Sequence, residues 1–161
     1  MARVYIETSF FSACVTDRSG EKIVGWRASS NEWWKTQRRR HDIFISGEVI
    51  RELSAADFPN RDKALALLTG LNMLELTLEV ERLAELMVRE KVMPAPAVGG
   101  DAVHVAAAVT HRMDYILPWN VKHLANPNKR AHFAVICMRL GLVPPQIVTP
   151  DMLQELEDAS D

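Results

Sequence analysis

The chain has 161 residues, is 48% hydrophobic and 25% charged, and carries a formal net charge of −2. Such a composition excludes wholesale disorder and suffices for one domain over residues 1–161 with a full core. No apolar run reaches the roughly 18 residues that a membrane span needs, and the N-terminal residues lack the apolar core of a secretion signal, so a cytoplasmic location is expected. The negative total argues against a generally basic nucleic-acid-coating surface, although carboxylates gathered around a cation would lower the sum without removing a basic rim. Cys14 and Cys137 form no CxxC pair and are expected as buried thiols.

Arg3-Val4-Tyr5-Ile6 reads as a first strand, rich in β-branched and aromatic residues. A short helix is expected over Ser9 to Ala13 and a longer one over Glu21 to Arg39. Asp42 to Ile45 is a second strand, and Gly47 to Ala55 a helix with Ser46 as its N-cap. Asn60 caps a helix through Leu68, with Gly70 as the stop. Asn72 to Leu76 is a third strand. Thr77 then caps an amphipathic helix whose Val80, Leu83, Ala84 and Met87 form one apolar stripe, and which must end before Pro94. Asp101 to His111 is an apolar helix, Tyr115 to Leu117 a fourth strand, and Lys129 to Leu140 a helix stopped by Gly141. Gln146 to Val148 is a last strand, and Thr149-Pro150 opens a final helix.

Strands alternating with helices predict a three-layer α/β/α sandwich around a mostly parallel sheet of about five strands. In such sheets ligands bind outside the carboxyl ends of the strands. Glu7 directly follows the first strand and Asn120 lies three residues after the fourth; Glu52 lies inside one helix and Asp101 opens another. These oxygen donors suit a hard cation. Carboxylates brought close together without one would repel.

Four segments carry a resemblance: Val4-Tyr5-Ile6-Glu7-Thr8-Ser9-Phe10, Ser46-Gly47-Glu48-Val49-Ile50-Arg51-Glu52-Leu53, Asp101-Ala102-Val103-His104-Val105-Ala106 and Tyr115-Ile116-Leu117-Pro118-Trp119-Asn120. Together, in this order and spacing, they resemble a PIN domain, most closely the VapC-type ribonuclease toxins of bacterial toxin–antitoxin pairs. The resemblance runs from Arg3 to the last helix. It implies a Mg2+- or Mn2+-dependent endoribonuclease acting on an RNA substrate, held by a cognate antitoxin protein and forming a homodimer. It places Glu7, Glu52 and Asp101 in the three acidic positions, with Glu7 where most members carry Asp, and Asn120 where many carry a fourth acid. Thr8 and Ser9 match small polar residues that orient the first acid. Glu7 and Asp101 are the expected direct ligands of the metal. Glu52 would bind through water or take a proton from the nucleophile, and Asn120 would complete the shell or orient water.

Competing roles stay open for several residues. Glu48 lies one turn before Glu52 on the same face and competes with it as the second acid. Asp101 reads equally as a helix N-cap after Gly99-Gly100. Arg38-Arg39-Arg40-His41 reads first as a solvated helix end, with RNA phosphates as the competing role. Lys122, His123, Lys129 and Arg130 are placed to line a substrate groove. His104 and His111, seven apart, are read as structural, with zinc binding the competing role. Of the four tryptophans, Trp119 is the best candidate to stack on a base, the others being read as packing. A PIN-like scaffold that binds RNA or protein without turnover is the alternative to an enzyme, and a nuclease acting on DNA is a third reading.

Overall fold

The computed structural model describes residues 1–55, 57, 60–119 and 127–160. Strand β1 (Arg3–Ile6) is followed by α1 (Thr8–Val15), α2 (Glu21–Thr36) and a 3-10 turn (Arg38–Arg40). Then come β2 (Asp42–Ser46), α3 (Gly47–Ala55), α4 (Arg61–Leu67), β3 (Asn72–Leu74), α5 (Leu78–Arg89) and α6 (Asp101–Thr110). The chain closes with β4 (Tyr115–Leu117), α7 (Pro127–Arg139), β5 (Gln146–Ile147) and α8 (Pro150–Ser160).

The sheet order is β3-β2-β1-β4-β5 and every pairing is parallel. Helices cover both faces in a three-layer α/β/α sandwich. In one group α1 packs on α2, α3 and α4, and α2 on α8; in another α5 packs along α6. β1 is central, and its Val4, Tyr5 and Ile6 are wholly buried, as a strand covered on both faces must be. The chain steps outward from β1 through β2 to β3, then returns to set β4 on the other side of β1. The sheet therefore has its switch point between β1 and β4, where a crevice opens at the carboxyl ends of the strands.

The elements form for local reasons that also set their ends. Thr77 caps α5 by accepting from the Val80 N–H, and Val80, Leu83, Ala84 and Met87 are all buried, in keeping with the apolar stripe. Gly70 and Gly141 stop their helices with φ of +80° and +69°. Asn60 precedes α4 without a side-chain capping bond; its amide instead donates to the Val15 carbonyl at 2.8 Å, tying α4 to the end of α1. β3 ends at Leu74, two residues short of the expected end. Cys14 and Cys137 are buried free thiols, and burial pushes their pKa values up to about 12 and about 11. Among the described residues no helix is long and apolar enough to cross a membrane.

Candidate metal centre

Glu7 directly follows the buried central strand and is the N-cap of α1, its carboxylate Oε2 accepting from the Ser9 N–H at 3.0 Å and from the Ser9 hydroxyl. A carboxylate here satisfies a helix-end N–H and meets the positive end of the helix. Ser9 Oγ also accepts from the Trp119 N–H at 2.9 Å, which links the segment after β1 to the segment after β4. The Glu7 side chain is only 14% exposed. Burial raises its pKa from the ordinary carboxylate value, against the opposing pull of His104 and the two bonds from Ser9.

Glu52 comes to the same place from α3. Its Oε1 accepts from Thr8 Oγ1 at 2.7 Å and pairs with Nε2 of His104, which projects from α6. Glu52 is burdened by burial, yet the His104 hydrogen bond and charge, with Thr8 and Arg51, outweigh it and lower its pKa. His104 is 1% exposed. Burial alone would depress its pKa, but the bond to Glu52 and the charges of Glu7, Glu52 and Glu48 raise it. The Glu7, Glu52 and His104 ligand atoms all lie within 4.8 Å of one another. Behind them, Tyr5 Oη sits 2.6 Å from His104 Nδ1 and 2.8 Å from Ser46 Oγ.

Glu48 takes a different position from Glu52. It is 3% exposed and turned to the start of α6, where its Oε1 accepts from the Gly100 N–H at 3.0 Å. Arg51 Nε donates to both its oxygens, at 2.9 and 3.0 Å. Gly99 allows this contact, because a Cβ there would meet the Arg51 guanidinium at 3.1 Å and Glu48 Oε1 at 3.2 Å. Gly100, with φ +69°, is the N-cap residue of α6. Asp101 is therefore the first residue of the helix rather than its cap, one turn before His104. It lies outside the 4.8 Å group of Glu7, Glu52 and His104. Asn120, Lys122 and His123 fall outside the described residues.

The remaining candidates divide between the site and the packing around it. His104 enters the site, whereas His111 ends α6 and its Nε2 lies 2.7 Å from the Glu75 carbonyl oxygen. Trp119, expected to stack on a base, is 6% exposed; it stacks on Trp26 at 5.1 Å and its indole N–H donates to Ser30 Oγ. It is a packing residue because the turn after β4 folds it under α2. The basic run Arg38–Arg40 precedes β2, so in a parallel sheet it lies at the amino edge, about 13 Å of strand away from the acids at the carboxyl edge. Arg38 lies over the Trp34 ring at 4.5 Å. Lys129 and Arg130 belong to the first turn of α7.

A groove of about 490 Å³ opens beside the acids. Glu7, Thr8, Ser9 and Glu52 line it together with Ser12, Thr16, Arg18, Trp26 and Asn60. A larger hollow of about 660 Å³, lined by Met1, Arg112, Asp114 and Val143, lies at the opposite edge of the sheet and contains none of the candidate residues.

No protein-family model and no curated protein matches the sequence. Solved structures do share the fold. The chain is similar to the VapC20 toxin of Mycobacterium tuberculosis, a sarcin-ricin loop cleaving toxin, with 17% identity over 76% of this chain and 93% of that one and a TM-score of 0.57. It is similar to FitAcB of Neisseria gonorrhoeae, with 12% identity over 91% and 97% and a TM-score of 0.51. It is similar also to VapBC2 of Rickettsia felis, solved bound to a DNA fragment from its promoter, with 11% identity over 91% and 97% and a TM-score of 0.51. The fold is that of VapC-like PIN domains.

Proposed function

We propose that this chain is a Mg2+- or Mn2+-dependent endoribonuclease, the toxin partner of an antitoxin protein, with Glu7, Glu52 and Asp101 as its acidic centre and Asn120 completing it. The observation that carries this reading is the meeting of Glu7 and Glu52, 45 positions apart in sequence, at the carboxyl end of the central strand and on the wall of one groove. Sharing its fold with VapC20, a sarcin-ricin loop cleaving toxin, supports the choice of reaction.

The donor chemistry fits a hard cation. Two carboxylates converge, each with one oxygen fixed by its neighbours: Oε2 of Glu7 by Ser9, Oε1 of Glu52 by Thr8 and His104. His104 already offsets part of the repulsion between the two acids through Glu52, and a divalent cation would offset the rest. Glu7 and Asp101 would hold the ion directly, with Glu52 taking part through water or as proton acceptor. A bound Mg2+ or Mn2+ would supply acidified water and charge stabilisation at the phosphate.

The protein's own contribution is placement. Glu7 is fixed by its own capping role, and Thr8 holds Glu52 in register with it. The groove past Ser12, Thr16, Arg18 and Asn60 offers hydroxyl, amide and guanidinium donors to a sugar–phosphate backbone, with Arg18 its one cationic lining residue and Asp17 beside it. With the Arg38–Arg40 run at the far edge of the sheet, strand contact falls to the groove rather than to the densest basic cluster. A homodimer and a cognate antitoxin protein complete the proposal.

The test is incubation of purified protein with total cellular RNA in Mn2+, in Mg2+ and in chelator, beside Asp101→Ala. Metal-dependent fragments that vanish in the variant support the reading. Cleavage that persists in chelator or in Asp101→Ala overturns it.

A further inference from the structure

His104 is a natural suspect for a third metal ligand, because its Nε2 stands among the carboxylate oxygens, 3.9 Å from Glu7 Oε1. Its surroundings argue otherwise. Both ring nitrogens are already engaged, Nε2 with Glu52 Oε1 and Nδ1 with Tyr5 Oη at 2.6 Å. The ring is buried between α6 and β1, tilted on Tyr5 with centroids 5.7 Å apart. Tyr5 is fixed in turn by Ser46 Oγ at 2.8 Å, and that hydroxyl also accepts from the Glu48 N–H at 3.3 Å in the first turn of α3. The chain of contacts is thus closed: it leaves α3 at the Glu48 N–H, passes through Ser46 at the end of β2 and Tyr5 on β1 to His104 on α6, and returns to α3 at Glu52.

We infer that His104 is a positioning residue, held by Tyr5 and Ser46, that fixes Glu52 through Oε1 so that Oε2 serves the cation. This rests on the metal-centre reading above and deepens it. The physical reason is geometric. Glu52 is the one acid of the pair that stands on a helix facing the groove at 28% exposure, and a free glutamate there would sample several rotamers. Two donors on one oxygen, Thr8 from α1 and His104 from α6, lock the carboxylate plane against two different elements. Partners of this kind, behind the atoms that touch a metal, commonly govern affinity by roughly 10–100-fold. Ligation of a hard cation by imidazole would break the bond to Glu52 and leave its half-buried carboxylate oxygen with one donor fewer.

The experiment is Mn2+ binding to the full-length protein and to His104→Leu, His104→Gln and Tyr5→Phe, with thermal melting of each and spin-echo spectroscopy of the Mn2+-loaded wild type. Wild type should show no directly bound imidazole nitrogen. His104→Leu should bind Mn2+ about 10–100-fold more weakly while still melting cooperatively. His104→Gln, whose amide can still donate to Glu52, should recover most of that loss, and Tyr5→Phe should fall between. Affinity in folded variants is a readout that packing alone would not move. A directly bound imidazole nitrogen overturns the inference and makes His104 a ligand. Wild-type Mn2+ affinity in any folded His104→Leu protein also overturns it. Failure of the wild type itself to bind Mn2+ overturns the proposed function, and this inference with it, and is distinguishable from the first two results.

Discussion

Replacing Glu48 and Glu52 separates a structural acid from a functional one, although they lie one turn apart on the same helix. Glu48→Ala removes the acceptor of the Gly100 N–H, a 3.0 Å bond at the start of α6 made by a side chain only 4% exposed. Leaving that amide without its charged partner costs about 1–3 kcal/mol. Loss of an anion at the helix N-terminus adds about 0.3–1 kcal/mol. Arg51, whose side chain is 60% exposed, simply returns to water. A combined loss of roughly 1.3–4 kcal/mol lowers the melting midpoint of a domain this size by roughly 3–16 °C. Glu52→Gln should behave in the opposite way. Its amide oxygen can still accept from Thr8 and His104, so its melting midpoint should fall less than that of Glu48→Ala, while RNA cleavage falls roughly 10–100-fold. Circular dichroism melts and cleavage of total RNA give both readouts. An unchanged midpoint with lost cleavage in Glu48→Ala, or wild-type cleavage in Glu52→Gln, would refute the assignment of the two roles.

Three more outcomes are expected from the same geometry. Mn2+ affinity should rise with pH: burial raises the Glu7 pKa, and a cation must displace its proton, so affinity is lost as pH falls through that raised value and binding releases protons. Calorimetry in buffers of different ionisation enthalpy reads this directly, and pH-independent affinity would contradict it. Thr8→Val removes the 2.7 Å bond to Glu52 Oε1 and should cost about 1.5–3 kcal/mol in stability, measured by denaturant titration, with weaker Mn2+ binding; a neutral effect on both would remove Thr8 from the site. Trp119→Ala empties a packed position under Trp26 and should cost about 3–5 kcal/mol, whereas a base-stacking role would lower RNA affinity at unchanged stability.

Much of the fold is legible in the sequence because local signals coincide with tertiary demands. β1 and β4 fall where their β-branched and aromatic residues end, and α5 keeps to its stripe from Thr77. Sequence period is less able to place ends set by long-range pairing. β3 stops at Leu74 because its register partner Ser46 is the last residue of β2. The amino-edge position of Arg38–Arg40 is a consequence of parallel topology alone, since residues before a strand and residues after it lie at opposite edges of the sheet. His104 is hidden by its surroundings. It sits in an otherwise apolar helix, and its partners Tyr5 and Glu52 are 99 and 52 positions away. Its spacing of three from Asp101, which sets both on one helix face, is the available signal. Glu48 and Glu52 share a face by spacing, and only the approach of Gly99 and Gly100 to Glu48 distinguishes them.

The central claim is a cation between the carboxylates at the carboxyl end of β1. Crystals of the protein grown with Mn2+ and measured at the manganese absorption edge test it most directly. The predicted result is an anomalous peak in contact with Glu7 and Asp101 and reached by Oε2 of Glu52, directly or through one water, with His104 Nε2 still bonded to Oε1. A peak elsewhere, or none from crystals soaked at saturating Mn2+, would contradict it.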